Sequence, residues 1–312
     1  MKKKYILLIA ALTIMLAVVV VYYAFPDVAF KLVLKAERSS AGLNQHSIEV
    51  DGLHIEYLEG GQGDVVLLLH GFGADKDNWT RISKHFTPHY KVIAPDLPGF
   101  GESSRQPDTN YTIAAQADRV HAFARALGIQ SFHLGGSSMG GNIAGVYAAQ
   151  HPERVISLWL VAPGGVASAD PSEMKRELDA GKSNPLVVES VEDYKRLIDF
   201  IFGKKPFIPS PMLNHLAKDA IRNRPLNQKI FEQINVVSDA SGLEHTLNGS
   251  VVPTLILWGT DDRVLHVSGA EILESVMPNA QVVIMEGVGH LPMIEKPGES
   301  AEIYISFLRQ RK

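Results

Sequence analysis

A serine hydroxyl is a poor nucleophile unless a base takes its proton and a third group holds that base. One serine in this chain stands where such activation is expected. Gly136-Ser137-Ser138-Met139-Gly140 is a G-x-S-x-G, preceded by the short run Ser131–Leu134 and followed by the small and apolar spacing of Gly141–His151. A strand entering a helix through this motif must turn sharply, which leaves Ser138 at the apex with a strained backbone and an exposed hydroxyl. Glycines two before and two after are required where strand and helix approach too closely for side chains. Ser137 is off the apex and is read as a supporting neighbour. By itself the pattern could be a glycine-rich loop; its context makes Ser138 a nucleophile.

That context is the order of the other groups. Around such a turn, the acid and then the histidine follow the serine in sequence, each after a strand. The run Thr254–Trp258 leads into Gly259-Thr260-Asp261-Asp262-Arg263. Either carboxylate could serve; the G-x-x-D spacing selects Asp262 and leaves Asp261 as a turn residue. Of 12 histidines, only His266 and His290 come after this acid. His266 is too local to reach the serine and is read as surface or cap-facing. His290 stands in Gly287-Val288-Gly289-His290, a glycine-hinged loop able to aim an imidazole. A tetrahedral intermediate also needs preorganised backbone donors. The amide of Met139 is one, and that of Phe72, in His70-Gly71-Phe72-Gly73, is the other. His70 is expected to hydrogen-bond within its loop, and Asp96 to brace its own. The chemistry is acyl transfer through an acyl-enzyme, with no metal or cofactor required.

Placing these groups takes a layered scaffold. Ser47–Val50 and Leu53–Leu58 alternate across Asp51-Gly52, a hairpin signal. Val65–Leu69 is a continuous apolar run, as a strand buried on both faces requires. Tyr90–Ala94, the elbow strand, Val155–Val161, Thr254–Trp258 and Gln281–Met285 follow, with helices Ile113–Leu127 and Gly298–Arg309 among them. This spacing predicts an α/β fold with a mostly parallel sheet flanked by helices. The alternation breaks from about 167 to 248, where helical stretches are expected at Ser172–Ala180, Val191–Phe202, Pro211–Asn223 and Asn227–Val237. The expected organisation is therefore a core of 46–166 and 249–312 with a helical cap at 167–248. Leu186, Val187, Leu197, Ile201, Phe202, Phe207, Met212 and Leu213 are candidates to line an acyl pocket, though most of them could simply pack cap on core. Trp79 and Trp159 are expected in the core.

With 312 residues, 46% of them hydrophobic, the chain can bury one large core or two modest ones. Its net charge of −4 becomes −7 without the three lysines at 2–4, which argues against a nucleic-acid surface. The absence of cysteine excludes disulfides, thiol catalysis and a lipid-modified cysteine. Tyr5–Phe25 is an uncharged apolar run, about 31 Å long as a helix. It ends in tyrosines and Phe25 rather than a small-residue cleavage site, so an uncleaved membrane anchor over 1–25 is expected. The preceding lysines would keep the N-terminus in the cytoplasm and the rest outside it, in the periplasm of a bacterium. The segment 26–45 then reads either as an amphipathic helix on the bilayer or as a linker helix resting on the folded domain.

Together these residues resemble the α/β-hydrolase superfamily. Phe132–Gly141, Ala144-Gly-Val-Tyr-Ala-Ala, Val252-Pro-Thr, Trp258-Gly259, Val264-Leu265 and Val267–Ala270 further resemble membrane-anchored abhydrolase-domain monoacylglycerol lipases and their bacterial relatives. The resemblance implies a Ser138–Asp262–His290 triad, a helical cap, an N-terminal anchor and a lipid ester, foremost monoacylglycerol, as substrate. Two alternatives stand beside it. One is a carbon–carbon bond hydrolase of ring-cleavage dienoates, which uses the same triad; the other is a non-catalytic lipid-binding protein on the same fold. An aspartate-nucleophile dehalogenase or epoxide hydrolase is disfavoured by a serine at the elbow.

Overall fold

The computed structural model describes residues 3–7, 9, 13, 23–206, 208–235 and 242–310. Among them, eight strands form one sheet: β1 (Leu43–Val50), β2 (Leu53–Gly60), β3 (Val65–Leu69), β4 (Lys91–Pro95), β5 (Phe132–Ser137), β6 (Val155–Val161), β7 (Thr254–Gly259) and β8 (Ala280–Met285). Their order across the sheet is β1-β2-β4-β3-β5-β6-β7-β8. β3 to β8 run parallel, and β1 and β2 join the edge antiparallel. The β1–β2 turn has positive φ at both Asp51 (51°) and Gly52 (76°), the geometry for which an Asp-Gly pair is suited. β1 starts at Leu43, earlier than expected, because Asn44, Gln45 and His46 face solvent on an edge strand and carry no apolar alternation.

The central strands read as continuous apolar runs because each face is covered. Leu67, Leu69, Leu134, Leu158 and Ile256 pack on one side with α3 (Ile113–Ala126) and α4 (Met139–Gln150). Val66, Leu68, Trp159, Val161 and Leu255 pack on the other with α2 (Thr80–Phe86) and α11 (Pro297–Arg309). Trp79 and Trp159 are fully buried in this second layer, as expected.

Helix α1 (Pro26–Ser40) rests on the folded domain, packed against α2, β1 and α7 (Ser210–Ile234). Asp27 meets His215 at 2.6 Å, the Phe30 and His215 rings lie 4.7 Å apart, and Arg38 forms a forked pair with Asp77. Val28, Leu32 and Val33 on the same helix remain exposed. Among the described residues no helix is long and apolar enough to cross a membrane; most of the expected anchor, Tyr5–Phe25, lies outside them.

Between β6 and β7 the chain inserts α5 (Glu173–Asp179), α6 (Val191–Ile201), α7 and the single turn α8 (Leu243–Thr246). One expectation is corrected here. The two helices predicted on either side of Pro225 are one 25-residue helix, with Pro225 inside it. An interior proline removes one hydrogen bond. The helix tolerates it because both halves are anchored, through fully buried Ala217 before it and Ile230 after it. Phe207, Val236 and Val237 lie outside the described residues. After β7 come α9 (Gly269–Val276), β8, the short α10 (Pro292–Glu295) and α11.

Candidate active site

β5 ends at Ser137 and α4 begins at Met139, so Ser138 occupies the turn between them, with φ 56° and ψ −119°. Left-handed φ at a non-glycine residue costs about 1–3 kcal/mol and persists only where the surroundings enforce it. They do so through the backbone. Ser138 donates its amide to the Val161 carbonyl (3.0 Å), and its own carbonyl accepts from Gly164 (2.9 Å) and Asn142 (3.1 Å). The flanking glycines are steric requirements. A Cβ on Gly136 would lie 2.1 Å from the Gly140 carbonyl oxygen, and one on Gly140 would lie 2.3 Å from that of Leu69. Ser137 is fully buried, off the apex.

The loop after β3 lies against this elbow, with a Cβ built on Gly71 coming 3.2 Å from the Ser138 Cβ. His70 is buried and holds the loop from within. Its Nε2 accepts the Leu97 amide (2.9 Å), so its proton sits on Nδ1, which donates to the Gly71 carbonyl (2.8 Å). Burial pushes the His70 imidazole below its ordinary range, which keeps the ring neutral. Because carbonyl and amide of a trans peptide point in opposite directions, pinning the Gly71 carbonyl to His70 turns the Phe72 N–H away from it. The Phe72 ring packs edge-on against Phe100 and Phe231, with centroids 5.8 and 5.5 Å away.

A buried ion pair fixes the far end of the same loop. Lys76 donates from Nζ to Asp96 Oδ2 (2.7 Å) and from its backbone amide to Asp96 Oδ1 (2.7 Å). Asp96 Oδ2 also receives the Glu102 amide (2.7 Å), so Asp96 braces its own loop, as expected, and the Lys76 turn as well. Nothing in the spacing marks Lys76 as a buried cation; only its neighbours in space do.

The two candidate acids separate cleanly. Asp262 is 8% exposed and every acceptor position of its carboxylate is used. Oδ1 receives the amides of Val264 (2.8 Å) and Leu265 (3.0 Å); Oδ2 receives Trp258 Nε1 (2.9 Å) and His290 Nδ1 (2.8 Å). Asp261 is exposed and bonds to the Thr260 hydroxyl. His290 is 5% exposed, and its backbone amide donates to the Ile201 carbonyl (2.8 Å). His266 bonds to Ser268 and lines the cavity described below. The indole of Trp258 is a partner that sequence reasoning missed, although its place four residues before the acid, at the end of β7, was visible.

A cavity of about 700 Å³ lies between the insertion and the core. Its walls include Val146 and Asn142 of α4, Met174 and Leu178 of α5, Phe231 of α7, Leu243, and Trp258, Val264 and Leu265 beside the acid, with Lys175 and Asp179 among the polar ones; Ser138 and His290 are not among its lining residues. Of the residues expected to line an acyl pocket, none of the seven described ones is among them. Leu186 and Ile201 pack in a small cluster with Phe200 and Val264, and Phe202 packs against the sheet. Among the described residues no group of three or more histidine, aspartate or glutamate side chains is arranged to hold a metal.

Residues 64–297 match the family described as alpha/beta hydrolase fold. Lipase 1 of Psychrobacter immobilis is 37% identical over 281 residues, 88% of this chain and 87% of that one. Monoacylglycerol lipase abhd6-A of Xenopus laevis is 35% identical over 254 residues, 78% of this chain and 74% of that one. Among solved structures, a membrane phospholipase A described as a bacterial virulence factor is 44% identical with a TM-score of 0.89, over 99% of both chains. A meta-cleavage product hydrolase of Pseudomonas fluorescens, 23% identical with a TM-score of 0.73 over 86% of this chain and 98% of that one, shares the fold. The sheet order, the strained serine elbow and these matches agree: the chain belongs to the α/β-hydrolase family.

Proposed function

We propose that this carboxylic ester hydrolase cleaves lipid esters, monoacylglycerols foremost, through an acyl-enzyme on Ser138. The observation that carries the reading is the 2.8 Å bond between His290 Nδ1 and Asp262 Oδ2, made between buried side chains 28 residues apart. With Nδ1–H committed to a saturated carboxylate, the Nε2 of His290 is left as the base. Ser138 Oγ attacks the ester carbonyl as His290 takes its proton, and Asp262 stabilises the imidazolium. The amides of Phe72, oriented through His70 and Gly71, and of Met139 receive the developing oxyanion. His290 then protonates the departing alcohol and activates the water that releases the acid.

The lipid part of the reading rests on the cavity and the relatives. About 700 Å³ is within the range of small-molecule sites. Walls of Val146, Met174, Leu178 and Phe231 suit an acyl chain. The insertion, 167–248, serves as the cap. Relatives named lipase, monoacylglycerol lipase and membrane phospholipase A support ester cleavage on lipids. The run Tyr5–Phe25 acts as an uncleaved anchor that keeps the enzyme beside a substrate dissolved in the bilayer, with the folded part outside the cytoplasm.

The test is hydrolysis of an acyl-length series of monoacylglycerols, p-nitrophenyl esters and a phospholipid, wild type against Ser138→Ala. Turnover by the wild type and none by the variant, with monoacylglycerols preferred, is expected. A wild type active only on the shortest artificial esters overturns the lipid reading, and equal rates overturn the serine nucleophile. For the anchor, full-length chain should resist alkaline extraction from membranes while a chain starting at Asp27 is released.

A further inference from the structure

The loop that carries His290 is poorly suited to hold anything by itself. Gly287 has a positive φ of 65°, and Gly289 immediately precedes the histidine. A loop with two glycines has more backbone freedom than a general base can tolerate. We infer that Glu295 and the Ile201–Lys204 segment of the insertion are positioning elements for His290, which makes the insertion part of the catalytic machinery.

Three contacts carry this. The His290 amide donates to the Ile201 carbonyl at 2.8 Å. Glu295, at the end of α10, reaches back so that Oε1 accepts the Gly289 amide (2.8 Å) while Oε2 accepts the Lys204 amide (3.0 Å). One carboxylate thus bridges the base loop and the insertion with two charge-assisted bonds. Between these bonds the backbones touch. A Cβ on Gly289 would fall 2.4 Å from the Gly203 nitrogen, and one on Gly203 would fall 2.9 Å from the Gly289 nitrogen. On the opposite side, a Cβ on Gly259 would fall 2.1 Å from the Val288 carbonyl oxygen, so the base loop is held between the end of β7 and the insertion.

The same end of α6 grips the acid loop. Arg263, next to Asp262, stacks its guanidinium 4.5 Å from the Phe200 ring centroid and donates to the Asp199 carbonyl (3.2 Å). It also forks onto Glu173 of α5 at 2.7 and 2.6 Å. Residues 199–204 therefore touch both loops that carry the His290–Asp262 pair. A shift of the insertion displaces the pair with it, and a displacement near 1 Å is enough to cost about a hundredfold in rate.

The inference rests on His290 being the base, so the test separates the two. Full-length Glu295→Ala, Glu295→Gln, Gly203→Ala and His290→Ala are assayed on a short p-nitrophenyl ester. Rates of the Glu295 and Gly203 variants are expressed per active site by end-point labelling with a serine-reactive phosphonate, and the rate of His290→Ala per mole of protein. Glu295→Ala should lower kcat about 10- to 100-fold with KM changed less than about twofold. Glu295→Gln keeps one acceptor and should recover much of the loss. Gly203→Ala, which pushes the two backbones apart without touching Glu295, should lower kcat in the same way. A merely structural role predicts a lower Tm with kcat per labelled site unchanged, and that result overturns the inference. An inactive His290→Ala beside a fully active Glu295→Ala overturns the inference alone; an active His290→Ala removes the base assignment and the inference together.

Discussion

Asp262 and His290 meet at 2.8 Å with the aspartate already bound by Trp258 and two backbone amides, while Asp261 is exposed and its carboxylate accepts a bond from the neighbouring Thr260 hydroxyl. Adjacent carboxylates of the same chemistry are thus assigned different work by their donors. Asp262→Asn keeps the shape but replaces one acceptor by an amide donor, which favours the wrong histidine tautomer. The expected loss in kcat is about 10³- to 10⁴-fold. Asp261→Asn should stay within about twofold of wild type. Steady-state rates on a soluble ester decide it, and comparable losses in both variants would remove the assignment.

Lys76 and Asp96 should dominate the stability of the loop beside the elbow. Their side chains are 2% and 0% exposed, so Lys76→Met strands a buried carboxylate. Breaking such a pair costs about 3–5 kcal/mol, whereas replacing both partners is far less costly. Equilibrium denaturation should therefore show a large loss for Lys76→Met and a partial recovery in Lys76→Met/Asp96→Asn, partial because the new amide nitrogen faces one of the two backbone N–H groups that the carboxylate accepted. Additive losses in the double variant would contradict this.

These two pairs also mark what the sequence discloses. The place of Ser138 at the turn and the pairing of Asp262 with His290 were legible because chain order, strand ends and a G-x-x-D spacing are local signals, and the buried central strands because continuous apolar runs need no context. Lys76 was not, since burial of a lysine depends on Asp96, twenty residues away in sequence. The unbroken helix through Pro225 was missed for a related reason: local propensity argues for a break, and anchoring by Ala217 and Ile230 overrides it. Which residues of the insertion line the cavity was not legible, because hydrophobicity alone does not tell a side chain that packs on its neighbours from one that faces a cavity.

The cavity should govern chain length. Val146 lies on α4, two turns beyond Ser138, with its side chain among the walls. Val146→Trp adds bulk there without touching the elbow glycines. The acyl optimum should shift toward shorter chains, with activity on the shortest p-nitrophenyl ester kept within about threefold. An unchanged optimum across the monoacylglycerol series would place the acyl chain elsewhere.

Asp75 supplies a pH-dependent signature. Burial, and the nearby Asp96 and Asp77 carboxylates, raise its carboxyl from the usual range to about 7. Its side chain accepts the Asp77 amide at 2.9 Å, capping the turn that follows the Gly71–Phe72 loop. A carboxyl raised on folding holds its proton more tightly in the folded state. The stability it contributes is complete below its unfolded value of about 4 and is lost as pH rises through about 7. Asn is an equally good cap and cannot ionise. Asp75→Asn should therefore match the wild-type Tm near pH 4 and exceed it at pH 8, with the gap opening between those limits. Thermal scans at a series of pH values measure it, and a gap of constant size at every pH would show that ionisation of Asp75 is not what strains the loop.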